Sequence, residues 1–260
     1  MNSNAELARN TGIFLQVLKI LSFTGIILNI CALESAGGFR RIVMKKNCAV
    51  LAAAALSCAV LAGCGQKQEG TWNANENSIY VTKELAVESA MVYTSDKPNE
   101  LYTEEGLSSY VEEAVTSYNT EHGGAAAFEN EKDQEKLPAA LKSCSLEGQT
   151  GKLVFEYASA DDFVNFSTEN GDNTHSITGL SVGTAAELAG ELEGMTFLTA
   201  AGKDAELASV TGESKNKAVI VEGAGTVYVE GGVAFVTEGV RVKASNAVIT
   251  SEGTNCIVFQ

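Results

Sequence analysis

Histidine is scarce in this sequence: His122 and His175 are the only two among 260 residues. Zinc sites and Ser–His–Asp machinery would then need cysteines or carboxylates for almost every role. A basic patch is missing as well. The 33 Asp+Glu outnumber the 18 Lys+Arg, for a formal charge of −15. That excludes a phosphate-tracking surface, and with it nucleic acid as a partner. No Cys-x-x-Cys pair occurs, and no serine stands in Gly-x-Ser-x-Gly. Gly223-Ala-Gly225 lacks a third glycine and a following helix pattern, so it reads as a turn. The sequence thus offers no catalytic residue, no metal site and no cofactor site. What it does have, 45% hydrophobic and 20% charged residues, suits a globular chain of one or two domains.

The hydrophobicity is unevenly placed. Residues 1–63 hold only two acids, Glu6 and Glu34, beside Arg9, Lys19, Arg40, Arg41, Lys45 and Lys46. The chain beyond is therefore more acidic than the average suggests. From Met44 the order is Lys45-Lys46-Asn47, an apolar run from Cys48 to Ala62, then Gly63-Cys64. A short cationic start, an apolar middle and a small-residue site form the layout of a secretory signal peptide, with a run too short to span a bilayer. Its end, Leu61-Ala62-Gly63-Cys64, resembles the lipobox of bacterial lipoproteins. The resemblance implies removal of residues 44–63 and a diacylglyceryl thioether on Cys64. The protein would then be lipid-anchored on the outer face of the bacterial cytoplasmic membrane. Residues 1–43 carry a second apolar stretch, Gly12 to Leu33, interrupted by Gln16, Lys19 and Asn29. They read as an over-extended start ahead of Met44 or as a membrane segment.

Residues 64–77 are polar and without periodicity, which reads as a flexible tether reaching roughly 40 Å at ~3.3–3.6 Å per residue. Trp72 within it is assigned either to the membrane interface or to a contact with the domain. Beyond it, Ile79–Thr82 and Leu85–Tyr93 read as a bent strand or hairpin, and Pro98-Asn99 as a turn. Leu107, Tyr110, Val111, Ala114, Val115 and Tyr118 recur at helical spacing between Thr103 and His122, with Gly123-Gly124 as the stop. Leu141–Leu146 and Lys152–Tyr157 read as strands around a turn at 147–151. Ser159 reads as the N-cap of a short helix, Thr184–Ala189 as helical and Met195–Thr199 as a strand. In the last stretch, short β runs begin near Val219, Thr226, Val233, Val240, Ala247 and Cys256. Gly223, Gly231, Gly239, Asn246 and Gly253 punctuate them, supplying positive φ. The fold class expected is α+β: an antiparallel sheet with one or two helices over residues 78–212, followed over 213–260 by a short-strand β meander or small sandwich packed on it.

Ser159-Ala-Asp-Asp-Phe-Val-Asn-Phe166, the Val182-Gly183-Thr184 turn and the tail with Val221-Glu-Gly, Val227-Tyr-Val-Glu-Gly, Ala234-Phe-Val and Ile257-Val-Phe resemble a group of small lipoproteins of anaerobic Gram-positive bacteria. The resemblance implies a location and an architecture, and brings no catalytic residue.

Of six cysteines, Cys31, Cys48 and Cys58 lie in the segment to be removed and Cys64 is the lipid site. Cys144 and Cys256 remain, either as a disulfide in an exported domain or as buried thiols among strand residues. His175 lies near Asp161, Asp162 and Glu169 in sequence, and an acid/base or metal site can be drawn from them; solvated loop polarity is the plainer account. His122 sits where a helix dipole favours a cation. The function expected is a non-catalytic surface module that meets the membrane through Cys64 and another envelope protein or a wall component through its domain. The alternatives are a transporter-associated ligand-binding module and an envelope hydrolase built on His175 with Asp161 or Asp162.

Overall fold

The structure, a computed structural model, describes residues 72–95 and 103–260, all within the compact unit Gln66–Gln260. The expected signal peptide, Cys64, residues 1–43 and the Pro98-Asn99 turn lie outside the described residues. Among the described residues the fold is α+β and mostly β, with two sheets and four helices.

The first elements follow from local sequence. β1 (Ser78–Val81) and β2 (Val87–Thr94) pair antiparallel, with Leu85 at φ 66 in the turn between them. α1 (Glu104–Glu121) starts at Thr103, whose hydroxyl accepts the Gly106 N–H at 3.0 Å, a cap worth about 1 kcal/mol. It buries Val111, Val115 and Tyr118 on one side, as their spacing requires. β3 (Ala139–Glu147) and β4 (Thr150–Tyr157) form the next hairpin. Ser159 caps α2 (Ala160–Glu169) by accepting the Asp162 N–H at 3.1 Å.

The remaining elements are shorter: β5 (Gly179–Thr184), α3 (Ala189–Leu192), β6 (Phe197–Thr199), β7 (Asp204–Ala205) and α4 (Leu207–Thr211). Then come β8 (Lys217–Glu222), β9 (Thr226–Val229), β10 (Val233–Thr237), β11 (Arg241–Ala244), β12 (Ala247–Ile249) and β13 (Thr254–Phe259). The strand expected from Met195 begins at Phe197, and the helix expected over Thr184–Ala189 begins only at Ala189. Thr184 and Glu187 bond each other's backbone and side chain in a turn instead.

The C-terminal run of strands fits the expected meander in sequence, and its strands are dealt to both sheets. The first sheet runs β11-β12-β9-β1-β2-β4-β3, and the second β5-β8-β13-β10-β6-β7. Every pairing is antiparallel except β1 with β9, which is parallel. No sheet boundary therefore falls at 212/213, because strands from either side of that point share both sheets.

The main core lies between the sheets. Ile79, Val81, Phe155, Tyr157 and Val227 from the first meet Val219, Val221, Ile257 and Phe259 from the second, with α1 and α2 closing the rest. The opposite face of the second sheet is buried too: Ala218, Ile220, Cys256 and Val258 pack on Ala185, Leu192 and Val210. Burial on both faces explains why β8 and β13 read as unbroken apolar runs rather than alternating ones.

Two glycines are fixed by close approach. A Cβ on Gly223 would stand 2.1 Å from the Ser176 carbonyl oxygen, and one on Gly231 2.1 Å from that of Gln260; both have positive φ. Asn246, expected to share this role, is instead a buried residue outside the positive-φ set. Gly223→Ala and Gly231→Ala are each expected to cost about 2 kcal/mol or more in urea unfolding, from strain and overpacking. Gly232→Ala, with open space around its Cβ, is the control and stays within about 0.5 kcal/mol.

Candidate functional site

The loop that follows α2 carries the one buried acid–base pair suggested by the sequence, with a different carboxylate from those expected. Asp172 Oδ1 accepts the Thr174 N–H at 2.8 Å, which turns the chain so that His175 faces back toward Asp172. The His175 Nε2 stands 3.3 Å from Asp172 Oδ2, and both side chains are nearly buried. The approach is too oblique for a good hydrogen bond, and Nε2 has no other partner. Nδ1 accepts the Ile177 N–H at 3.1 Å, so in the neutral ring the proton sits on Nε2, toward Asp172. The ring lies 5.3 Å from that of Phe163.

The loop is fastened to the C-terminal strands. Ser176 N–H donates to the Ala224 carbonyl at 2.9 Å, its hydroxyl accepts the Ala224 N–H at 3.0 Å and donates to Glu252 at 2.7 Å. Asp161 and Asp162, the expected partners of His175, are not at this site. Asp162 is held by Ser159 at the start of α2 at 2.6 Å, and Asp161 is exposed. Glu169 goes to the other histidine: His122 Nε2 is 3.1 Å from both its oxygens and stacks on Tyr118 at 4.1 Å. His122 thus ties the ends of α1 and α2 together, in addition to standing at a helix terminus.

Burial pushes the Asp172 carboxyl up, but the His175 ring and the Thr174 N–H outweigh it and hold the carboxyl below its ordinary value. Deeper in, Tyr157 shares a 2.9 Å hydrogen bond with Ser89; burial raises its hydroxyl far above the usual range, with the Asp172 charge adding to the effect. Neither imidazole nitrogen of His175 is open to a substrate, since one takes a backbone N–H and the other faces Asp172. The arrangement can lock a loop; it presents no base to a nucleophile.

Cys144 and Cys256 are both free thiols and the structure does not bring them together. Cys144 is half-buried in β3, at the edge of the first sheet, whereas Cys256 is buried in β13, inside the second. Burial pushes both thiols up, Cys256 to about 12, which leaves them protonated and unreactive. Among the described residues no three His, Cys, Asp or Glu side chains converge as a metal site, and no helix is long and apolar enough to cross a membrane.

A shallow, open depression of about 550 Å³ runs along α1, lined by Glu112, Glu113, Thr116, Thr120, Glu121 and Phe128. Of the two expectations for Trp72, the contact with the domain holds, in a second polar cluster where residues 72–77 meet the first sheet and whose other members were not expected. Trp72 stacks on Tyr80 with ring centroids 4.9 Å apart and donates its Nε1–H to Ser78 Oγ at 3.1 Å. Glu76 bonds both Lys243 and the Tyr228 hydroxyl, and these contacts, led by Lys243, hold its carboxyl below the ordinary value. The end of the expected tether is therefore fixed to the domain. Tyr80 and Tyr228, which anchor it, stand side by side in the β1–β9 register.

Asp172→Asn is expected to destabilise the fold by about 1–3 kcal/mol at neutral pH. The sign of its pH dependence follows from the lowered carboxyl: the stabilisation is full above the unfolded value of about 3.9 and is lost as pH falls through the lower folded value. Urea unfolding between pH 6 and 3 should show the gap between wild type and variant closing at the acid end.

No protein-family model, curated protein or solved structure matches this chain.

Proposed function

We propose that the chain is a lipid-anchored protein of the bacterial envelope, acting outside the cytoplasmic membrane as a non-catalytic interaction module. The observation that carries this reading is Leu61-Ala62-Gly63-Cys64 in register with the cationic start at Lys45-Lys46 and the apolar run before it. Diacylglyceryl on Cys64 supplies two acyl chains on one residue, enough for stable anchoring at about 0.8 kcal/mol per buried CH₂. The non-catalytic part is supported by His175, whose Nδ1 accepts a backbone N–H and whose Nε2 is buried facing Asp172. The hydrolase alternative loses the pairing it was built on, since the Asp162 carboxylate accepts from Ser159, the cap of α2, instead. A small-solute site finds little enclosure in the open depression on α1.

The domain would then meet a second envelope protein or a wall component. Intact mass of the membrane-extracted protein should give a chain beginning at lipidated Cys64, and Cys64→Ala should move the protein out of the membrane fraction. A species that retains residues 1–63, or one without lipid, contradicts the anchor. Cross-linking in the native membrane, read by mass spectrometry, should capture a reproducible partner; capture of abundant bystanders alone contradicts the interaction role.

A further inference from the structure

The part of the first sheet that carries Trp72 has its back to the core. Ile79, Val81, Val227 and Val248 point inward, so strand alternation turns Tyr80, Tyr228 and Arg241 to the opposite face. We infer that this outer face is the one held against the bilayer surface, a headgroup layer containing anionic lipid. The inference rests on the reading of Cys64 as the lipid site.

Chain length is the first argument. Trp72 is pinned to Ser78 and Tyr80, Glu76 to Lys243 and Tyr228, and the Asn77 side-chain oxygen accepts the Val92 N–H. Only residues 65–71 separate Cys64 from this fixed point, so the reach falls to about 25 Å at ~3.3–3.6 Å per residue. The chain leaves the domain on this face, whereas α3 and α4 lie behind both sheets, which pack ~10 Å apart.

Charge is the second argument. On the outer face Glu76 is matched by Lys243, Glu88 by Lys142 and Glu147 by Lys152. The exposed cation of Arg241 offsets Glu156, which accepts from Asn130, so the face is near neutral. On the helical side α1 and α2 carry acids and no lysine or arginine at all. Within a Debye length of ~8–10 Å an anionic headgroup layer repels the helical side and accepts the sheet face. Trp72 and Tyr80 bring rings with an apolar body and a polar tip, the kind that settles at a membrane interface. The orientation turns the acidic depression on α1 away from the bilayer, where a partner can reach it.

Trp72 is the only tryptophan in the chain, so its fluorescence reports this face alone. The full lipidated protein, its Cys64 lipid verified by intact mass, is placed in mixed phosphatidylcholine–phosphatidylglycerol vesicles carrying a nitroxide on the headgroup. Trp72 emission should be strongly quenched relative to unlabelled vesicles. In the double variant Trp72→Phe, Thr120→Trp, which moves the reporter to the exposed side of α1, emission should persist. Lipidated protein with unquenched Trp72, or with both reporters quenched alike, overturns the orientation and leaves the anchor standing. Absence of lipid on Cys64 overturns the anchor and this inference together.

Discussion

Ile79, Tyr80 and Val81 run parallel to Val227, Tyr228 and Val229, and the rest of the structure depends on this short contact. It is continued by Glu230 N–H donating to the Val81 carbonyl at 2.9 Å and by the Glu230 carboxylate accepting the Lys83 N–H at 2.8 Å. Without it the first sheet would divide into β1–β4 and β9, β11 and β12. Its closure over so long a stretch of chain costs little more than a shorter loop would, because the entropy grows only with the logarithm of length. The compensating term is burial: Val81, Val227 and Val229 enter a core shared with Ile257 and Phe259 of the second sheet.

The end of the chain is held as firmly as its beginning. β13 lies between β8 and β10, and Gln260 exchanges hydrogen bonds with Gly232 while its side chain donates to Asn216. A sheet buried on both faces needs this strand before either face is dry. The glycines at 223 and 231 belong to the same constraint, since backbone carbonyls occupy the space a side chain would take. Polar loops are tied in similarly: the Asp172–His175 turn, Ser176 and Glu252 join the region after α2 to the last strands.

Local order was legible in the sequence where residues decide it locally. The α1 stripe, Ser159 at α2, the two early hairpins and the starts of the late strands all follow from periodicity, capping chemistry and glycine spacing. β5 was not legible: Gly179 and Gly183 weaken its strand signal, and it exists because its register against β8 buries Leu180. The sharing of the late strands between both sheets was equally hidden, since nothing near Val227 announces a partner at Ile79. At the candidate sites, the sequence pointed to His175 as a residue to inspect but not to its carboxylate. Asp172 became the partner through a backbone turn, while Asp162, closer to the expectation, was taken by a helix cap. A contact of Trp72 with the domain was among the expectations, but its neighbours Glu76, Tyr228 and Lys243 were not, because they meet only after the parallel pairing forms.

Such a fold is one cooperative body, tied from residue 72 to its last residue, on whose surface the acidic and the neutral faces hold fixed positions. Residue-level hydrogen exchange tests this claim most directly. Amides of β1, β9 and β13 should open together, at one free energy equal to that of global unfolding. Exchange of β8–β13 through a separate, cheaper opening, with β1–β4 still protected, would contradict it.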